Sequence, residues 1–172
     1  MPSSTTSQRI SALSNQLSAS PNPTATATTM AEKKPPITCH VLDTTIGKPA
    51  SNIPVTLTLH NPPSTTTPNP IPTSTPLAFT STTNADGRVT SWTPSSPAPF
   101  TSPRTLEDVF HAQGDQMYSL SFDTEGYFGE RGVKTFFPEV QVKFVVRDGG
   151  KGEHYHVPVL LGPFGYTTYR GS

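Results

Sequence analysis

The chain has 172 residues, and its twelve basic and twelve acidic side chains cancel, so no overall field draws it to nucleic acid or an anionic membrane, and neither is an expected partner. An apolar fraction of 32%, low even with the twelve glycines added, places part of the sequence outside any core, and the 20 prolines show where. The lone cysteine, Cys39, excludes an internal disulfide framework and suits a reducing compartment, and no run of about 18 apolar residues is present to span a bilayer.

Residues 1–36 are rich in Ser, Thr, Ala and Pro, with Arg9 the only charge before Glu32. Such a segment buries too little apolar surface to offset the entropy of ordering it, and reads as a disordered leader. Folding is expected from Ile37, giving a domain over residues 37–172. "ITCHVLD" and "IPVTLTLHN" alternate and are β-branched, which predicts two strands joined by "TTIGKPASN". The proline-threonine stretch near 61–76 suits neither helix nor central strand and reads as a loop insertion, as does a second Pro/Ser patch near 94–104. Between them, "PLAFTSTTNADGRVTSW" predicts a hairpin about the Asp86-Gly87 turn. "QMYSLSFDT" alternates again. "TEGYFGERG" is the one expected helix, with Thr124 as N-cap and Gly132 as stop. "EVQVKFVVRD" and "EHYHVPVLLG" read as strands around Gly149-Gly150, and "GYTTYRG" as a final short one. The sum is an all-β protein, an antiparallel β-sandwich of about eight short strands with one short helix.

Four stretches carry ionisable groups that a bland sandwich does not need. Strand alternation puts Ile37, Cys39 and Val41 on one face of the first strand and Thr38, His40 and Leu42 on the other. A single strand histidine is ordinarily a satisfied surface group, so His40 alone decides little. His154 and His156 share a face two residues apart, a spacing able to chelate zinc, yet no Cys pair or H-E-x-x-H motif supplies further ligands, and no metal is expected. Cys39 lies on the core face and reads as an inert small hydrophobe. Arg88 follows a tight turn, where a guanidinium is usually solvated but can also aim its planar donors at carbonyl or anionic oxygens. The C-terminal "YRGS" adds a phenol, a second guanidinium, a glycine and a hydroxyl beside the carboxylate.

Taken in order, "CHVLDTTIGKPA", "DGRV", "FFPEVQVKF" and "HYHVPVLLGPFGYTTYRGS" resemble the 5-hydroxyisourate hydrolases, the transthyretin-related enzymes of urate degradation. The resemblance spans residues 37–172 apart from the two proline-rich stretches. It implies the transthyretin sandwich and a homotetramer whose active sites lie where two dimers meet. It also implies hydrolysis of 5-hydroxyisourate to 2-oxo-4-hydroxy-4-carboxy-5-ureidoimidazoline, with no cofactor. By the matching motifs, His40, Arg88 and His156 would surround the substrate ring, Tyr169 would contact it, and Arg170 and Ser172 would complete the pocket; His40, Arg88, His156 and Ser172 would carry catalysis. The motifs do not say whether His40 or His156 is the general base. The alternative within the same fold is a non-catalytic small-ligand carrier like transthyretin, which lacks the active-site histidines and the "YRGS" ending.

In the leader, "RISALSNQL" resembles the N-terminal (type 2) peroxisomal targeting nonapeptide. Arg9, Ile10, Leu13, Gln16 and Leu17 match and would form one stripe on a helix for an import receptor. The expected location is the peroxisome, with the cytoplasm as the alternative.

Overall fold

A computed structural model of the chain describes residues 34–62, 76–95 and 104–172. The leader up to residue 33, with its targeting nonapeptide, and most of both proline-rich stretches lie outside the described residues.

Ten strands form two sheets, two strands more than the sequence pattern suggested. In the first, β1 (Ile37–Asp43) is central. β9 (Tyr155–Gly162) pairs along its whole length on one edge, followed by β10 (Gly165–Thr168). The other edge of β1 is shared by the two-residue strands β2 (Lys48–Pro49) and β5 (Arg88–Val89). The second sheet runs β6 (Thr93–Pro94), β4 (Leu77–Thr82), β3 (Pro54–Leu59), β7 (Gln116–Asp123) and β8 (Glu139–Val146). The two-sheet all-β reading is correct, but the sandwich is not wholly antiparallel: β1 and β9 run parallel, Ile37 opposite Tyr155 through to Asp43 opposite Leu161.

The inner faces are apolar. Ile37, Cys39, Val41, Val159 and Leu161 of the first sheet meet Val55, Leu57, Phe79, Leu120 and Phe122 of the second, all buried. Because strand side chains alternate, filling this interior forces Thr38, His40 and His156 outward. Burial pushes the Cys39 thiol up to about 12, so it stays protonated and inert.

The hairpin predicted about Asp86-Gly87 is corrected: β4 and β5 flank that turn but belong to different sheets. The two strands expected around Gly149-Gly150, β8 and β9, also lie in different sheets, and the two glycines lie in a short 3-10 helix. Both turns carry the chain across the sandwich. The helical content also differs: α1 (Leu106–Phe110) precedes the expected helix, α2 (Thr124–Gly129). In α1, Thr105 and Asp108 form a reciprocal capping box, and Leu106, Val109 and Phe110 are buried. In α2 the N-cap is Asp123 rather than Thr124: its carboxylate accepts from the Gly126 N–H at 2.9 Å. Gly132 ends the segment with φ +67°, the left-handed conformation glycine tolerates.

At the far end of β1, Asp43 is fully buried and fully partnered. It accepts from the Thr45 N–H (2.8 Å), the Thr45 hydroxyl (2.6 Å) and Tyr127 Oη (3.0 Å), and pairs with Arg131 at 2.8 Å. Burial alone would raise its pKa, but the Thr45, Arg131 and Tyr127 donors outweigh it and hold the carboxyl below its ordinary value. The Arg131 guanidinium also lies 4.1 Å from the Tyr127 ring centroid.

Candidate active site

The outward face of the first sheet gathers three of the predicted residues. His40 is directly opposite Arg88 across the β1–β5 pairing. On the other side, Thr38 is opposite His156 across β1–β9, and His40 is opposite Pro158, so the two histidines sit diagonally on one face.

Local geometry explains the position of Arg88. The Asn84 side chain accepts from the N–H groups of Asp86 (3.0 Å) and Arg88 (2.9 Å), closing the loop. Gly87 then passes so close to β1 that a Cβ there would lie 2.4 Å from the Val41 carbonyl oxygen, and its own φ is +70°. Only glycine fits such an approach, and it brings the next residue beside His40.

The tail continues the register of β10 along β9. Thr168 pairs with Val159, and three residues on, the Gly171 N–H donates to the His156 carbonyl at 2.9 Å. A Cβ at Gly171 would meet His156 Cδ2 at 2.7 Å and Pro158 Cγ at 3.0 Å, so the tail backbone lies against the imidazole. Ser172 is exposed one residue further. Tyr169 is 60% exposed, and Arg170 turns from this cluster to pair with Glu153 and to lie 5.2 Å from the Tyr155 ring centroid, a side chain on the opposite face of β9 from His156. Within one chain the structure therefore joins His40, Arg88, His156 and the tail backbone, and leaves Tyr169 and Arg170 outside their immediate contact. A cavity of about 340 Å³ is lined by Phe144 of β8, Tyr155, His156 and Val157 of β9, and Tyr169 and Arg170 of the tail; it reaches the cluster at His156, and neither His40 nor Arg88 is in its lining.

The electrostatics favour neutral rings. Burial first, then the Arg88 cation, hold His40 below its ordinary value, against smaller opposing effects of the Asp86 backbone and carboxylate. Burial, Arg88, Lys34, His154 and His40 do the same to His156. At neutral pH both are uncharged imidazoles beside a permanent cation, and so can accept a proton.

The sequence placed Thr38 on the His40 face without a role and offered His154 only as a metal ligand. The Thr38 hydroxyl, 3% exposed, lies 2.8 Å from His156 Nδ1 and 2.9 Å from His154 Nε2. The signal was available: alternation puts Thr38 on the His40 face. Among the described residues, no group of three or more His, Cys, Asp or Glu side chains is arranged to hold a metal ion.

A two-sheet sandwich with neutral histidines and an arginine on an outward sheet face defines the class: a β-sandwich whose chemistry lies on strand surfaces. The chain belongs to the HIUase/Transthyretin family, whose model matches residues 37–171. It is 38% identical over 138 residues to a probable 5-hydroxyisourate hydrolase of Schizosaccharomyces pombe, covering 80% of this chain and 92% of that one. It is likewise 38% identical to the 5-hydroxyisourate hydrolase of Mus musculus, covering 83% of this chain and 100% of the mouse protein. Among solved structures, sea bream transthyretin in complex with thyroxine superposes with a TM-score of 0.56 over 79% of this chain and 94% of its own, at 23% identity, a likeness of fold.

Proposed function

We propose that the chain hydrolyses 5-hydroxyisourate in urate degradation, opening the six-membered ring to the ureidoimidazoline carboxylate. The observation that carries this is the pair of neutral histidines beside Arg88 on one outward face, in a chain that shares 38% identity with the mouse 5-hydroxyisourate hydrolase and with a probable one of Schizosaccharomyces pombe. Water attacks a ring amide carbonyl carbon while an imidazole takes its proton, and the new C–O bond places negative charge on the carbonyl oxygen. The C–N bond then breaks, and the nitrogen leaves with the proton returned by the imidazole. Positioned base catalysis typically contributes roughly 10²–10⁴-fold. Arg88 is placed to stabilise the developing oxyanion, with Tyr169, Arg170 and Ser172 bordering the substrate. The sequence of steps requires water, a base and a cation, with no redox chemistry.

The test is the ultraviolet decay of freshly generated 5-hydroxyisourate. Acceleration by catalytic amounts of the chain is expected; decay at the spontaneous rate would leave a carrier of the same fold.

The assembly reading is a homotetramer. Phe136 and Phe164 are each 73% exposed and Tyr166 and Leu160 each 40%, an apolar surface on and next to the β9–β10 side that a lone protomer solvates poorly and a second copy would cover. That surface also offers the setting in which another subunit closes the pocket. Light scattering is expected to return four copies; a stable, active monomer would refute it. For location, the Arg9–Leu17 nonapeptide supports the peroxisome, and a fusion of residues 1–36 to a fluorescent protein that stays diffuse would end that reading.

A further inference from the structure

We infer that Thr38 and His154 form a positioning relay that holds His156 as the Nδ1–H tautomer, leaving its Nε2 lone pair as the group that takes the proton from water. This rests on the hydrolase reading above and takes His156, the ring that Thr38 orients, as the base that the motifs leave open.

A threonine hydroxyl has a single hydrogen, so Thr38, with an imidazole nitrogen of His156 at 2.8 Å and of His154 at 2.9 Å, can donate to one ring and must accept from the other. Its burial leaves no room for water to relieve that choice. Which way the chain points follows from the nitrogen left free. The buried Thr38 hydroxyl occupies His156 Nδ1, so Nε2 is the nitrogen left to meet water, and it can take a proton only if the ring's own proton is on Nδ1. Thr38 then accepts from His156 Nδ1–H and donates to His154 Nε2. Burial first, then the Lys34 cation, hold His154 below its ordinary value, which suits a neutral ring that accepts on Nε2.

The consequence reaches the chemistry. His156 is held neutral by burial and its cationic neighbours, and with its one proton on Nδ1 its Nε2 carries the lone pair. A reversed chain would put the proton on Nε2 and make His156 an acid at the first step. Thr38 and His154 touch His156 rather than substrate, as an orienting partner fixes the tautomer of a catalytic histidine elsewhere. No covalent step involves them.

Nitrogen-15 long-range spectra of the full chain at neutral pH, with the His156 resonances assigned by loss in His156→Gln, read the tautomer directly. The expected result is a protonated Nδ1 and an unprotonated Nε2. Thr38→Val, which keeps the shape and removes the hydroxyl, is expected to give a mixture of tautomers and to lower kcat about tenfold, with KM changed less than about twofold. Thr38→Ser is expected to restore both readouts. A parent ring protonated on Nε2, or a Thr38→Val chain with unchanged tautomer and kcat, would overturn the relay. Should Thr38→Val fail to fold, the spectrum of the unmutated chain still decides. A chain with the Nδ1–H ring that leaves 5-hydroxyisourate intact overturns the hydrolase reading and leaves the tautomer assignment standing.

Discussion

The two outward faces of the sandwich each carry a histidine hydrogen-bonded to a hydroxyl, and they differ in everything around it. On the second sheet His60 Nε2 lies 2.9 Å from Ser119 Oγ, and burial first, then Lys143, lower the His60 pKa. The surroundings are Thr58, Met117, Ser121 and Lys143, without another titrating ring among the described residues. On the first sheet the hydroxyl of Thr38 joins two rings, a third ring and a guanidinium stand beside them, and the chain's tail lies against one of them. A depressed histidine pKa is common to both faces and distinguishes neither. What marks a site is convergence: several groups able to accept a proton, a cation for developing charge, and space for a ligand.

That contrast can be broken by removing its parts. The largest effect is expected from Arg88→Ala, which takes away the oxyanion partner and should lower kcat roughly 10²–10³-fold. His40→Ala should cost about 10². Steady-state kinetics on folded protein check both, and a parent-like kcat in either variant removes that residue from the chemistry.

Next comes Asp43→Ala, at the other end of β1. Thr45, Tyr127 and Arg131 would lose their shared acceptor, and a loss of about 3 kcal/mol is expected, since breaking a buried, hydrogen-bonded pair costs roughly that much. Chemical denaturation measures it, while turnover per folded molecule should stay at the parent level. A stability unchanged in the variant would show that the Asp43 network is decoration.

Gly171→Ala is a subtler probe of the tail. With a methyl group 2.7 Å from His156 Cδ2, either the imidazole or the tail must move, and a loss of about tenfold in kcat is expected without loss of fold. Activity equal to the parent would mean that the tail does not hold the ring.

The smallest effect is a shift along the pH axis. Both His40 and His156 have folded-state pKa values below 6.5, so the neutral, active rings persist as pH falls through 6.5 and activity is lost only as they take up protons at lower pH. Replacing Arg88 by Gln removes a cation that disfavours protonation, and the acid limb should move to higher pH. A parent limb centred above 6.5 would contradict the electrostatics.

Much of this was legible in the sequence. The alternation of Ile37, Cys39 and Val41 against Thr38 and His40 predicted the core face of β1, because burial on one side of a strand imposes a period of two. Asp86-Gly87 predicted a reversal. It did not predict which strand would follow, since turn residues report local backbone geometry and carry no information on pairing, and here the chain crosses to the other sheet. The parallel β1–β9 partnership joins segments more than a hundred residues apart and leaves no local trace. Helix α1 is five residues long, too short to show a helical stripe, although Thr105 and Asp108 gave its capping signature. The role of Thr38 was hidden for a related reason: threonine is an ordinary strand residue, and only the register that sets it between His154 and His156 gives its hydroxyl a task.

The contrast between the two faces is tested most directly by one paired measurement: the ultraviolet decay of 5-hydroxyisourate with His156→Ala and with His60→Ala, each confirmed folded. A loss of at least about 10²-fold in kcat for the first and a rate within about twofold of the parent for the second is the expected result. Equal rates in the two variants, whether both high or both low, would contradict the assignment of the chemistry to the first sheet.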